Sequence, residues 1–177
     1  MKSGEKGYTL IELLIGITIT VMVAGAAGMS IFQVLRNTER NNDLITAVRQ
    51  VENAGYWISR DAQMALGVIA TENLTLPAFL NLSWTEWDDA GDPIYHSANY
   101  TFEDLTNGIG KLKRTYGSSV GASAQTLIAQ YIYYDPDDAD ATSNTSYQNP
   151  LLTVKLTAVF KGATESREYK VKRRPGF

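Results

Sequence analysis

The chain has no cysteine and a single histidine among its 177 residues. Without thiols there is no disulfide, no thiol nucleophile and no Cys-ligated metal, although the missing disulfides say nothing about compartment. His96 alternates with Tyr95 in a predicted strand and has no Cys, second His or evident carboxylate partner in sequence, so a structural place on a strand is expected of it rather than catalysis. There is also no G-x-S-x-G elbow and no Gly-rich phosphate loop. No catalytic residue and no cofactor is therefore expected, and the chain does not read as an enzyme. A formal net charge of −3 and a pI near 5.2 argue against a nucleic-acid-binding surface. The basic end, Lys170, Lys172, Arg173 and Arg174, reads as a charged edge strand, with contact to DNA or to a neighbouring subunit as the alternative.

Another absence is more informative. From Leu13 to Leu35 there is no Asp, Glu, Lys or Arg, and a helix of that length is roughly 34 Å long, enough to span a bilayer core. Glu12 sits at the mouth of this run with nothing to neutralise it within its own segment, so it is expected to seek a partner. Lys2 and Lys6 precede it, which places the short N-terminal side in the cytoplasm and the remainder outside. An ordinary secretory signal cut near Ala24-Gly25-Ala26 fits poorly, because apolar residues continue through Met29, Ile31, Phe32, Val34 and Leu35 and Glu12 is left unexplained. Cleavage ahead of the run leaves a permanent helix. Gly16, Thr18, Thr20, Ala24, Gly25, Ala27 and Gly28 keep one side of it small, which lets membrane helices approach closely.

The stretch Lys6-Gly7-Tyr8-Thr9-Leu10-Ile11-Glu12 followed by this run resembles the class III leader of type IV pilins and type II secretion pseudopilins. The resemblance implies a leader over residues 1–7, cleavage between Gly7 and Tyr8 by a prepilin peptidase, N-methylation of Tyr8, and pairing of Glu12 with an N-terminal amine as subunits stack. It further implies other pilin or pseudopilin subunits, an assembly platform in the cytoplasmic membrane and membrane lipid as partners. Two departures are Tyr8, where the family usually has Phe, and Met29, where major pilins usually carry a kinking Pro; the second favours a pseudopilin or minor pilin. The Arg60-Asp61 step and the Tyr100…Leu112-x-Arg114 pattern look like the larger minor pseudopilins of the J class.

After Leu35 the composition turns polar while a helical period persists. Leu44, Val48, Val51, Ile58, Ala62 and Ala65 form one apolar face on which Gly55 falls, giving room for a sheet to pack close. The expected layout is a transmembrane and assembly helix over 8–36 and an extracytoplasmic domain over 37–177. In that domain the helix continues over 37–66, with a break near Asn37 to Asn42 as the alternative, and a β-sheet follows over 77–174. Six strands are predicted there, Phe79 to Trp87, Ile94 to Phe102, Lys111 to Tyr116, Thr126 to Tyr134, Leu151 to Phe160 and Arg167 to Arg173, linked by turns such as Asn107-Gly108 and Lys161-Gly162. The fold class is thus α+β and pilin-like, an antiparallel sheet covered by the long N-terminal helix. Asp135, Asp137, Asp138 and Asp140 form the one weak calcium candidate, set against a solvated loop running on through Ala141 to Asn149. Function reads as a structural subunit, resident in the cytoplasmic membrane and later in an extracellular or periplasmic filament. The alternative is a single-pass anchored adhesin or binding domain that never polymerises, with Trp84 and Trp87 as its platform; their opposite parity in a strand forbids a stacked pair.

Overall fold

A computed structural model describes residues 9–138 and 140–173. The chain divides into two compact units, Met1–Asn42 and Asp43–Phe177. One helix, α1, is assigned from Leu10 to Met64 without a break over residues 37–42. It ends two residues before the expected stop.

From Leu10 onward the first unit is helical throughout. Its most apolar window has a mean hydropathy of 2.2 and no buried residue. Its hydroxyls are satisfied within the helix: Thr18 donates to the Leu14 carbonyl at 2.7 Å, Thr20 to Gly16 at 2.8 Å, Ser30 to Ala26 at 3.0 Å and Thr38 to Val34 at 2.9 Å. Back-bonding of this kind leaves no hydroxyl proton in need of water.

The second unit is built on an eight-stranded antiparallel sheet. Its strands are β1 (Gly67–Ile69), β2 (Ala78–Trp87), β3 (Pro93–Thr106), β4 (Ile109–Ser118), β5 (Gly121–Tyr133), β6 (Asn144–Gln148), β7 (Leu151–Phe160) and β8 (Ala163–Lys172). The order is β1-β2-β3-β4-β5-β7-β6, with β8 on β7. The β7 strand pairs with β8 along its whole length, while β6 and then β5 meet its other edge. The turn sequences act as expected. Asn107 and Gly108 have φ of 51° and 76°, and Lys161 and Gly162 have 47° and 86°, the left-handed pairs that two-residue hairpins require. Along β7, Leu152, Val154, Leu156 and Ala158 are buried, as the alternation indicated.

Two strands lie outside the expected set. β1 is only three residues long, too short for a period to show. The segment read as a solvated loop contains β6, and Thr142, Ser143 and Thr145 are buried. Hydroxyl bonds explain the correction: Ser143 Oγ accepts the Thr157 N–H at 2.8 Å, and Thr145 Oγ1 accepts the Thr71 N–H at 2.8 Å. A polar segment is buried here because its short hydroxyls complete backbone bonds of neighbouring elements.

The second half of α1 covers one face of the sheet through Ala47, Val51, Ala54, Gly55, Ile58, Asp61 and Ala62. Leu44, expected on this face, is exposed, since the covered stretch starts only at Ala47. Gly55 is needed for the approach. A Cβ there would lie 2.2 Å from the Tyr169 ring, whose hydroxyl donates to the Val51 carbonyl at 3.2 Å. Full burial of Val51 and Ile58 contributes about 1.5–3 kcal/mol each.

Candidate functional site

At the start of α1, Thr9 is the N-cap and Glu12 the third helical residue. The Glu12 carboxylate accepts both the Thr9 N–H and the Thr9 hydroxyl at 2.9 Å, and the Glu12 N–H points back to Thr9 Oγ1 at 3.4 Å. This is a capping box, formed because Thr and Glu stand three apart just before an apolar run. Two neutral donors of Thr9 thus engage one Glu12 oxygen, and no positive charge is among them. Gly7 and Tyr8, the expected cleavage pair, lie outside the described residues. Around the small stripe a Cβ added at Gly16, Gly25 or Gly28 would meet nothing within 4 Å.

Residues 2–28 match a family model described as the prokaryotic N-terminal methylation motif. The chain opens on a pilin-type class III signal. This signal contains Gly7, Tyr8 and Glu12 and marks a family of structural subunits that a prepilin peptidase processes and that assemble with other pilin subunits. Together with the exposed apolar helix, the motif supports a membrane-anchored, pilin-type precursor. No curated protein and no solved structure matches the chain.

In the second unit three residues quoted for their sequence pattern meet in space. Arg114 on β4 donates to Asp61 on α1 through both Nε, at 2.6 Å, and Nη2, at 2.9 Å, and Tyr100 on β3 donates its hydroxyl to the same carboxylate at 2.6 Å. Asp61 is fully buried. Burial and the Asp61 charge push the Tyr100 phenol far above its ordinary value, so it stays a donor. Such a fork fixes the helix on the sheet in one register, because any slip leaves a buried charge unpaired. Sequence gave the pattern; only the fold supplies the contact, across 39 and 53 positions.

His96 is not on an open surface. Its ring stacks on Trp84, with centroids 5.5 Å apart, and Nδ1 lies 2.7 Å from the Tyr116 hydroxyl. It also has a carboxylate neighbour: Glu86 Oε2 is 3.3 Å from Nε2, without the alignment of a hydrogen bond. Strand register makes the neighbour, since Trp84 faces His96 across β2 and β3 and Glu86 is the next residue on that face. Sequence distance hid it.

The acidic loop is occupied with its own backbone. Asp135 Oδ1 accepts the Asp137 N–H at 3.0 Å, Asp138 Oδ1 accepts the Ala141 N–H at 2.9 Å, and the Tyr133 hydroxyl lies 3.4 and 3.3 Å from the second oxygens of Asp135 and Asp138. The Lys155 ammonium donates to the Asp140 carbonyl. Among the described residues no three His, Cys, Asp or Glu side chains are grouped to hold a metal ion. At the basic end, Lys170 pairs with Glu168 at 2.8 Å and Arg173 donates to the Leu66 carbonyl, while Arg174 lies outside the described residues.

Proposed function

We propose that the protein is a minor pilin or pseudopilin, cut between Gly7 and Tyr8, N-methylated on Tyr8, and built into a type IV pilus or type II secretion pseudopilus through its N-terminal helix. The observation that carries this reading is the methylation motif at residues 2–28 running directly into a helix whose apolar side chains are exposed. Before assembly lipid covers those side chains, and after it neighbouring subunits do. The N-terminus stays cytoplasmic, in keeping with Lys2 and Lys6. Glu12 exchanges its Thr9 contacts for, or shares them with, the amine of an adjacent subunit, where a charged partner strengthens the bond in a low dielectric.

Coexpression with a prepilin peptidase followed by mass spectrometry of the mature chain tests the reading. A chain beginning at methylated Tyr8 is expected; a stable product beginning at Met1, or near Ala27, overturns it. The anchored binding domain is favoured by one observation. Trp87 and Tyr95 share the outer face of the β2–β3 hairpin and are 70% and 62% exposed, whereas Trp84 is buried. On that reading the processed chain stays in the membrane fraction and never co-purifies with filaments.

A further inference from the structure

We propose that the outer face of strands β2, β3 and β4, the face opposite the helix, binds a neutral oligosaccharide. Its centre is a trough of about 410 Å³, within the range of small-ligand sites, whose lining includes Ser83, Tyr95, Ser97, Gly117 and Ser119. Strand register sets Ser83, Ser97 and Gly117 side by side in one row, with Asn81, Asn99 and Thr115 in the next row that faces outward. The glycine keeps the floor low, since a Cβ at Gly117 would stand 3.3 Å from Ser97 Oγ.

Two aromatic side chains stand exposed on this face. Trp87 and Tyr95 lie diagonal to each other across β2 and β3, a placement that sets side chains about 7–8 Å apart. Ser119 holds the Tyr95 backbone at both polar groups: its hydroxyl accepts the Tyr95 N–H at 3.1 Å, and its own N–H donates to the Tyr95 carbonyl at 2.8 Å. Asp88 ties the turn after Trp87 by accepting the Ala90 and Asp92 N–H groups at 2.9 and 2.8 Å. The outward polar groups, by contrast, are unused within the subunit. The side chains of Ser83, Ser97, Asn81 and Asn99, the Tyr95 hydroxyl and the Trp87 indole N–H make no hydrogen bond with any described residue.

Charge decides the ligand class. The outward positions from the Trp87–Pro93 row to the Asn81–Asn99–Thr115 row hold no acid and no base. Along the strands the nearest charges stand at the two ends: beyond Trp87 the turn carries Asp88, Asp89 and Asp92, and beyond Thr115 Lys113 is paired with Glu103 at 2.5 Å. An anion finds no cation here and meets acids at the rim, while a cation finds no carboxylate in the trough. A wholly apolar partner would bury free hydroxyls and amides without bonds, which is costly. A neutral sugar matches what is present. Its hydroxyls give and take hydrogen bonds with Ser and Asn side chains, and its C–H face packs on exposed rings such as Trp87 and Tyr95. The assignment names a ligand for the surface behind the anchored-domain reading, yet a filament subunit would carry that surface equally, and cleavage after Gly7 is decided without any sugar.

Isothermal titration calorimetry of the full chain, in micelles of a detergent without a sugar headgroup, tests this with cellohexaose, chitohexaose and the acidic trigalacturonate. Saturable binding of a neutral hexasaccharide, indifferent to salt, is expected. Trp87→Ala is expected to weaken it at least about tenfold with an unchanged melting temperature, because the side chain is exposed. Gly117→Val fills the trough and is expected to weaken binding as much, while a β-branched residue suits the strand. No saturable binding of either neutral sugar, preference for trigalacturonate, or undiminished binding by Trp87→Ala would each overturn the assignment. So would self-association of the chain that Trp87→Ala abolishes while no sugar binds, because the face would then belong to a second copy.

Discussion

Between Leu10 and Leu35 the large apolar side chains of α1 are 51–81% exposed, whereas Ala47, Val51, Ala54, Ile58 and Ala62 on the same helix are at most 2% exposed. Polar groups divide in the same way. In the first stretch each bonded hydroxyl turns back to a carbonyl three or four residues earlier, while in the second Asp61 is satisfied from β3 and β4. One helix thus carries two specifications. Its first half meets its polar needs locally and leaves its apolar needs to molecules outside the chain, as a segment in lipid or in a filament core must. The second half is matched to its own sheet.

The comparison breaks most visibly at Asp61. Asp61→Ala leaves the buried Arg114 uncompensated and is expected to lose about 3–5 kcal/mol in urea unfolding of the second unit. Asp61→Leu combined with Arg114→Met is expected to recover most of that, because the pair is replaced rather than broken. A single variant with an unmoved midpoint would show that the fork does not hold the helix.

Tyr100→Phe removes one donor from the same carboxylate and is expected to cost about 1.5–3 kcal/mol near neutral pH. Its pH dependence has a definite sign. Burial, and then the Asp61 charge, raise the folded-state phenol above its ordinary value of 10.0. The native state therefore binds the proton more tightly than the unfolded state does. This share of stability is fully present below pH 10 and is lost as the pH rises beyond it. The native protein is expected to weaken as pH climbs through 10, and Tyr100→Phe to remove part of that slope. Tyr133, Tyr169, Lys111 and Lys170, also raised, keep the remainder. Identical alkaline slopes in the two proteins would contradict the placement of Tyr100.

A smaller effect is expected at glycine. Gly55→Ala drives a methyl into the Tyr169 ring and is expected to cost about 1–2 kcal/mol after the gain in helix propensity. Gly25→Ala meets nothing within 4 Å in the subunit. It is expected to leave urea unfolding unchanged and to be felt only where subunits pack. If Gly25→Ala destabilised the second unit as much as Gly55→Ala, the division of α1 would fail.

What the sequence discloses follows from the range of the forces involved. The apolar run, the hairpin turns at Asn107-Gly108 and Lys161-Gly162 and the alternation in β7 are local patterns, and each is found where its residues indicate. On the face of α1, Val51, Ile58, Ala62 and Ala65 are buried as their spacing indicates, while Leu44 lies outside the covered stretch and Ala47 and Ala54 lie within it, because a period does not show where the cover begins. Burial of Asp61, the Glu86 neighbour of His96 and the pinning of β6 by Ser143 and Thr145 depend on strand register across tens of residues, and no local period carries that.

Glu12→Ala is expected to have the smallest effect on the subunit and the clearest on assembly. Its contacts are confined to Thr9 within the first turn of α1, so urea unfolding of the second unit should not change, and cleavage after Gly7 should proceed. Loss of the carboxylate removes the one acid at the head of the apolar run, and incorporation into filaments, read by quantifying the protein in sheared filament fractions, should fall. Thr9→Val separates the two roles of Glu12. It removes the hydroxyl bond but keeps the backbone N–H and the carboxylate, so incorporation should survive if Glu12 acts on a neighbouring amine. If Thr9→Val lowers incorporation as far as Glu12→Ala does, the carboxylate serves its own helix end, and intersubunit pairing through Glu12 is excluded.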